Sequence, residues 1–315
     1  MSKPRRARRV CAADIALLAL AALPILCAVL LRVLTAPTEE GIQIHGAFIY
    51  FTVPLPLGGL PVTESQVNSL AVTLSVLFLC LFLTRGMTPR GGGKRQHFAE
   101  FIVGFTDKLV KNNMGESFSG FSPFIGAMMA LSALSSLLSL LGLYPPTSDI
   151  NIVGGWALLV FFLITYYKMK CGPLHYLRSF ADPPLLTPLN VISEVATPLS
   201  MAFRHYGNVL SGSVISVLLA AGLSGLSCLV LGWLPGVLGD FPLLRVGIPA
   251  ILSLYFDLFS GCLQAYIFAM LTMLYVGGAF PAQDYAKMLE KRRARKERKA
   301  NRKVRQEAAR LQVHQ

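Results

Sequence analysis

The sequence predicts an all-α polytopic membrane protein with about six membrane helices, the last two long and steeply tilted, plus an interfacial amphipathic helix. Of its 315 residues, 54% are hydrophobic and only 14% are charged, whereas a soluble domain carries about 25% charged residues. Spanning the roughly 30 Å hydrocarbon core takes about 20 apolar residues in helical form. Stretches of this kind cover about residues 12–34, 66–84, 121–144, 152–167, 189–232 and 244–283.

The first apolar stretch follows a basic segment that contains Lys3 and four arginines. Such a segment also precedes the apolar region of a secretory signal peptide. The apolar run is long for a signal peptide, however, and Pro37 follows Ala36 in a poor cleavage context. We therefore interpret this stretch as an uncleaved first span, with a cleaved signal peptide as the alternative.

The basic residues predict the orientation of the spans. With the N-terminus in the cytoplasm, all but three of the 29 Lys and Arg lie on the cytoplasmic side, the exceptions being Arg32, Arg204 and Arg245. The outer segments 36–63 and 145–151 then contain no Lys or Arg. By the positive-inside rule, both termini are expected in the cytoplasm.

Two cytoplasmic regions are predicted to lie at the membrane surface. After the glycine-rich hinge at 89–94, apolar residues recur at helical spacing from Phe98 to Val110, which predicts an interfacial helix. The basic tail is predicted to lie near anionic lipid headgroups. We expect three regions: a basic N-terminus with an extra span (1–36), a membrane domain (37–283) and a basic tail (284–315).

The last two apolar stretches are longer than a bilayer requires. A helix over 189–221 would be about 50 Å long at 1.5 Å per residue, and one over 246–279 would be similar. Both must therefore tilt or break. Pro198, Gly212 and Pro249 are the candidate bends.

Each of these long stretches contains one isolated charge. Arg204 is the only charged residue between Val195 and Trp233, and Asp257 is the only one between Val246 and Gln283. Burying such a charge costs about 3 kcal/mol on insertion scales. One interpretation is a salt bridge between Arg204 and Asp257 that joins two helices, and the other is an ion path. Further polar groups nearby favour the ion path: Glu194, His205, Asn208, Ser211, Ser213 and Gln264.

Several motifs resemble subunit a of bacterial F-type ATP synthases. The run 194–208 contains a proline, a serine and then Arg204, closely followed by Gly207 and Asn208. The segment Leu263–Phe268, with Thr272 after it, is similar to the family's last helix. Asp149-Ile150-Asn151 and Pro188-Leu189-Asn190 also fit the pattern. The resemblance covers about residues 40–283.

The resemblance implies a stator subunit of the membrane (Fo) sector, with two half-channels that pass H⁺ or Na⁺ to and from a rotating c-ring. Arg204 matches the family's essential arginine, Gln264 its neighbouring glutamine, and Asn208 the motif asparagine. Asp257 stands where relatives carry a relay residue. Two positions depart from the pattern: His205 follows the arginine, and Ser213 replaces an acid.

This interpretation implies the c-ring subunits, the stator subunit b and membrane lipid as partners, with no nucleic acid, no directly bound nucleotide and no cofactor. The subunit is not expected to be catalytic alone. No metal-ligand spacing surrounds the histidines, so no metal ion is expected.

An ion-coupled secondary transporter with an Arg–Asp site is the alternative, but it predicts internal repeats, which the chain lacks. A membrane-embedded enzyme would need a motif such as HExxH or GxSxG, and neither occurs.

Overall fold

The computed structural model describes residues 12–35, 46–54, 59–88, 93–171, 187–231, 251–252 and 254–279, together with a few positions in the tail (290, 293–295 and 297–298). Within this part of the chain, six helical segments are long and apolar enough to cross a membrane. The predicted all-α polytopic class is therefore confirmed. Most of the tail expected to lie near lipid falls outside the described residues, as do the hinge residues 89–92.

The helices follow the apolar stretches closely. They are α1 (Ala12–Thr35), α2 (Glu64–Thr84), α3 (Lys94–Met114), α4 (Ser122–Leu137), α5 (Ile150–Cys171), α6 (Thr187–Leu231) and α7 (Gly261–Ala279). Short 3₁₀ segments extend α4 at both ends, over Glu116–Phe121 and Leu138–Leu141. The span predicted to end at 144 stops at Leu141, because Gly142 adopts a left-handed φ of 73° that ends the helix.

A β-hairpin that the sequence analysis did not predict precedes α2. Strand β1 (Ile49–Val53) pairs antiparallel with β2 (Leu60–Thr63). The hairpin leads directly into α2, where the Thr63 N–H donates to the Gln66 side-chain oxygen, 3.4 Å away, as part of a capping box. We call this side of the helix bundle the hairpin end and the opposite side, where α3 lies, the α3 end.

Helix α1 packs against α2, and ion pairs join it to the rest of the molecule at both ends. At the α3 end, Asp14 pairs with Arg95 and Arg85, at 3.3 and 3.9 Å. At the hairpin end, Arg32 pairs with Glu64 at 2.7 Å.

Helix α3 has the amphipathic character that the sequence predicts, and it is longer than the predicted Phe98–Val110. Its exposed face carries large apolar side chains, namely Phe98, Phe101, Ile102, Val103 and Phe105. The other face packs on α4, where the Ser122 hydroxyl donates to the Asp107 carboxylate at 2.6 Å. This hydrogen bond is the main cause that lowers the pKa of Asp107. An apolar outer face is what an interfacial helix presents to lipid.

The hydrophobic core lies where α3, α4, α5 and α7 meet. Its largest cluster of buried side chains includes Val110, Phe118, Ile125, Val160 and Met273, each at most 1% exposed. Long helix α6 packs along α5 and α7 at one side of this core. That position leaves one face of α6 uncovered by the described chain.

The two long apolar stretches form different structures. Helix α6 continues without interruption for 45 residues, through both Pro198 and Gly212, which makes it about 67 Å long at 1.5 Å per residue. The last stretch begins with a π-helical segment, Leu254–Ser260, before α7 starts at Gly261. The predicted bend at Pro249 lies outside the described residues, and the irregularity that the structure shows surrounds Asp257.

Candidate functional site

Helices α6 and α7 cross in antiparallel orientation, and three contacts establish their register. The Asn208 amide donates to the Gln264 side-chain oxygen at 2.7 Å. Toward the α3 end, the ring of His205 lies 5.6 Å from that of Phe268. Toward the hairpin end, Gly212 packs so closely on Phe256 that an added Cβ would lie 3.1 Å from the Phe256 Cβ. The motif asparagine and glutamine are thus brought together, and Gln264 is only 2% exposed.

Arg204 lies on the uncovered face of α6. Its side chain is exposed, and within the described part of the chain no carboxylate lies within 4.0 Å of its guanidinium. Between Ser193 and Ser211, the exposed positions that share its face recur at roughly helical spacing and are small or polar: Ser193, Ala196, Ser200, Asn208 and Ser211. We call these residues, with Arg204, the α6 stripe.

His205 points the opposite way, into the protein. It is fully buried, between the edges of the Trp156 and Phe268 rings. Its Nε2 lies 3.3 Å from the Ser132 hydroxyl, and its Nδ1 has no hydrogen-bond partner. Two consecutive residues of α6 therefore place a cation on the outer surface of the bundle and an imidazole inside it.

Asp257 does not pair with Arg204, so the salt-bridge interpretation is wrong for the described structure. The half-buried Asp257 carboxylate lies near Ser139 on the extension of α4, whose hydroxyl donates to the Ser136 carbonyl at 2.8 Å. The register places Asp257 level with Gly212, about eight residues or roughly 12 Å along α6 from Arg204. At this separation the two side chains form no ion pair in the described structure.

Glu194 lies on the other side of Arg204, toward the α3 end. Both of its carboxylate oxygens accept hydrogen bonds from the Lys168 ammonium at 2.7 Å. The pair lines a cavity of about 260 Å³ between α5, α6 and α7, together with Thr197 and Tyr275. Sequence reasoning singled out Glu194 but not its partner, because the two residues are 26 positions apart.

Ser213, at the position of the missing acid, is exposed, and its hydroxyl donates to the Leu210 carbonyl in its own helix at 2.8 Å. This bond does not connect the hydroxyl to another helix. Of the sequence-predicted residues, the structure thus brings Asn208 and Gln264 into contact and places Glu194 and Asp257 on opposite sides of Arg204.

A buried row of serines on α4 and its extension escaped the sequence analysis. Ser132, Ser135 and Ser136 are each at most 2% exposed, and Ser139 continues the row. Ser132 contacts His205, Ser136 lies 3.4 Å from the Thr147 hydroxyl, and Ser139 lies beside Asp257. The sequence does contain a pattern that predicts this row, because the serines recur at i, i+3, i+4 and i+7. This spacing places them on one face of an otherwise apolar helix.

A second buried polar group lies at the hairpin end. Glu64 is 1% exposed, and besides its pairing with Arg32 it accepts a hydrogen bond from the Tyr144 N–H at 3.3 Å. The Asn68 amide donates to the Tyr144 carbonyl at 2.8 Å. The sequence analysis did not propose Glu64 as a site residue.

The described residues contain no group of three or more His, Cys, Asp or Glu side chains that could hold a metal ion. The site instead combines an exposed cation in a membrane helix, an acid on each side of it, and buried hydroxyls and amides. Such an arrangement defines the class of ion-translocating membrane proteins.

Comparison with known proteins identifies the family within this class. The family model described as ATP synthase A chain matches residues 67–277. ATP synthase subunit a of Macrococcus caseolyticus is 31% identical over 225 residues, covering 67% of this chain and 88% of that protein. Subunit a of Listeria monocytogenes serovar 1/2a is 30% identical over 236 residues, with coverage of 70% and 94%. The sodium ion specific subunit a of Propionigenium modestum is 27% identical over 277 residues, with coverage of 77% and 88%.

The chain therefore belongs to the ATP synthase A chain family and is a multi-pass membrane subunit of the bacterial type. Membership makes it a non-catalytic stator ion-channel subunit of the Fo sector, which assembles with other Fo subunits. The secondary-transporter alternative is not favoured.

Proposed function

We propose that Arg204 is the electrostatic gate between two half-channels, one reaching the α6 stripe from each side of the membrane. The observation that carries this proposal is the placement of Arg204: it is exposed, has no carboxylate partner in the described chain, and lies between Glu194 and Asp257 along α6. A permanent cation in a membrane helix requires a partner or water. The partner comes from outside the chain.

The α6 stripe is suited to a partner that slides past it. Apart from Arg204 and Asn208, its side chains are alanine or serine, and small residues let neighbouring helices approach closely in a membrane. The partner is the ring of c subunits, each with a carboxylate at the depth of Arg204. The remaining stator, including subunit b, and lipid cover other faces of the bundle.

The attraction between Arg204 and a ring carboxylate is of a size that allows the gate both to hold and to release its partner. A deprotonated carboxylate in a low-dielectric membrane is unfavourable unless it meets a positive charge. At an effective dielectric of about 20, charges 4 Å apart attract by roughly 4 kcal/mol. One charge crossing 100 mV provides about 2.3 kcal/mol, so the driving force is of similar size. The same fixed cation repels an ion that would pass directly between the half-channels.

The two half-channels use different polar groups. At the α3 end, the half-channel includes the cavity that Glu194 and Lys168 line. At the hairpin end, polar groups line the helix interface. Asp257 provides a carboxylate, the buried serines of α4 and its extension provide hydroxyls, and Asn208 and Gln264 provide amides. His205 and Ser213 contribute further polar atoms near this route, and the translocated ion is H⁺ or Na⁺.

The basic residues support an orientation with the α3 end in the cytoplasm of a bacterial cell. Lys94, Arg95, Lys108, Lys111 and Lys168 all lie at that end, whereas residues 46–54 and 59–63 of the hairpin contain no Lys or Arg. This asymmetry follows the positive-inside rule and supports the proposal that both termini lie in the cytoplasm. The subunit has no phosphate-binding motif, so nucleotide binding belongs to other subunits of the complex.

The experiment that tests the gate measures ATP synthesis driven by an imposed ion gradient in membrane vesicles that contain the whole complex. We expect Arg204→Ala to assemble and to lose synthesis by roughly a thousand-fold, because about 4 kcal/mol of attraction is removed. Arg85→Ala, which removes an arginine just after α2, serves as the control and should synthesise ATP normally. Near-normal synthesis by assembled Arg204→Ala would refute the proposal.

A further inference from the structure

The ion pair between Arg32 and Glu64 connects α1 to the first turn of α2, at the N-terminal boundary of the segment that matches the family model. The family match begins at residue 67, so α1, its Arg32 and the first residues of α2 precede it. Glu64 is nevertheless one of the most completely buried charged side chains in the described structure, at 1% exposure. A buried carboxylate without a counter-charge is strongly unfavourable, and only α1 supplies a cation to it among the described residues.

Hydrogen bonds extend from this pair toward α6. Glu64 accepts from the Tyr144 N–H, and the Asn68 amide holds the Tyr144 carbonyl. The Tyr144 hydroxyl donates to the Ser148 carbonyl at 3.2 Å, and the 3₁₀ segment Pro146–Ser148 packs on α6. A carboxylate at the hairpin end is thereby linked, first through hydrogen bonds and then through the packing of Pro146–Ser148, to the helix that carries Arg204.

Arg32 connects the buried carboxylate to the surface of the hairpin end. Its side chain is 37% exposed, whereas that of Glu64 is 1% exposed. The neighbouring strand adds a phenol: burial and the nearby Glu64 raise the pKa of Tyr50. The pair therefore occupies the boundary between the hairpin-end surface and the polar interior.

Ion pairs at both ends also attach α1 to the rest of the chain. Asp14 is 9% exposed and pairs with Arg95 and Arg85 at the α3 end, while Arg32 pairs at the hairpin end. A leader that is removed after secretion would leave Glu64 without its counter-charge. These contacts favour a helix that stays in the mature subunit.

We propose that α1 is a permanent part of the subunit and that its Arg32 is a positioning residue, which holds the Glu64 carboxylate at the hairpin-end mouth of the ion path. The proposal rests on the half-channel function proposed above. Glu64 is the outermost ion-accepting group of that half-channel, and Arg32 orients it toward Tyr144. The pair is thus more than a structural link between α1 and α2.

The first test asks whether α1 is retained. Mass spectrometry of subunit purified from the assembled complex should detect the residues of α1 in the same chain as α2. A subunit that lacks the first 35 residues would overturn the proposal.

The second test exchanges the charges in the whole complex: Arg32→Glu with Glu64→Arg. We expect assembly close to normal, because the ion pair is kept, but gradient-driven ATP synthesis at least about ten-fold slower per assembled complex, because a cation then occupies the mouth. The neutral pair Arg32→Gln with Glu64→Gln should likewise assemble and remain slow, since it lacks the carboxylate. Arg32→Lys should retain synthesis. Normal synthesis by the exchanged or the neutral pair would show that the ion pair is only a structural link, and it would overturn the proposal.

Two controls separate the possible failures. Asp14→Asn weakens the opposite end of α1 without touching Glu64, so its synthesis per assembled complex should stay normal. A loss equal to that of the exchanged pair would show that loosening α1 alone is responsible and would overturn the proposal. Arg204→Ala, measured in parallel, tests the half-channel function itself: inactive Arg204→Ala beside an active exchanged pair refutes only the role of Arg32.

Discussion

At the scale of single residues, neighbouring positions on α6 face opposite environments. Each residue advances a helix by about 100°, so Arg204 lies on the α6 stripe while His205 is enclosed between Trp156 and Phe268. An imidazole enclosed by two aromatic rings restricts rotation of the helix about its axis. His205 therefore helps to direct Arg204 outward, even though it does not contact the guanidinium.

The hydrogen bond between Asn208 and Gln264 determines the register of α6 against α7. In a double-mutant cycle with Asn208→Leu and Gln264→Leu, we expect a coupling of about 0.6–1.7 kcal/mol, which spans the average and the maximum measured for hydrogen bonds between membrane helices. Gln264 is buried, so each single variant leaves one amide unpaired and should be less stable than the double variant.

The measurement is the free energy of unfolding in detergent. Thr73→Val is the matched control, because its exposed hydroxyl bonds only within its own helix, to the Ser69 carbonyl. Zero coupling between Asn208 and Gln264 would contradict the register described here.

At the scale of elements, α7 approaches α4 so closely that a side chain cannot fit between them. A Cβ added at Gly261 would lie 2.6 Å from the Cβ of Ser136. This close contact comes directly after the π-helical segment that carries Asp257. The position of Asp257 beside the serine row therefore depends on a glycine that allows the two helices to approach.

Gly261→Ala should push α7 away from α4 and lower the stability of the subunit by about 1–3 kcal/mol, the usual effect of overpacking. Adding Ser136→Gly removes the clashing atom and should restore most of the loss. The control is Gly278→Ala in the same helix, where an added Cβ meets nothing within 4 Å and alanine is the better helix former.

The measurement is the midpoint of thermal unfolding of the purified complex or subunit. Equal midpoints for Gly261→Ala and Gly278→Ala would show that the close approach of α7 and α4 is not required.

At the scale of the whole molecule, three charged groups lie at successive levels along α6. Glu194 is about ten residues, or roughly 15 Å, from Arg204 toward the α3 end, and Asp257 is roughly 12 Å from it toward the hairpin end. Two offset half-channels require this order, because each must reach the ring from one side only. A single continuous pore through the bundle would not require this order of charges.

Thiol accessibility tests this order. In a variant whose native cysteines are replaced and which still makes ATP, Glu194→Cys should react with a membrane-impermeant maleimide added on the cytoplasmic side, and Asp257→Cys with the reagent added outside. Leu158→Cys is the control and should react from neither side, because Leu158 is exposed on the apolar surface of α5. Reaction of both test positions from one side only would contradict the proposed half-channels.

The sequence by itself determined the spans, the lone charges and the amphipathic helix. Hydropathy and helical periodicity are local properties, so the six apolar stretches predict the helices to within a few residues at most ends. The isolation of Arg204 and the motif around it were equally visible, because a charge among apolar residues needs no structure to be recognised.

Only the tertiary structure decided which groups meet. Arg32 and Glu64, Lys168 and Glu194, and Asn208 and Gln264 are 32, 26 and 56 positions apart, and no local pattern links them. Whether Arg204 pairs with Asp257 depends on the register of two antiparallel helices. That register is established by contacts such as Gly212 against Phe256 and the hydrogen bond between Asn208 and Gln264, because helix packing depends on the shapes of both surfaces together.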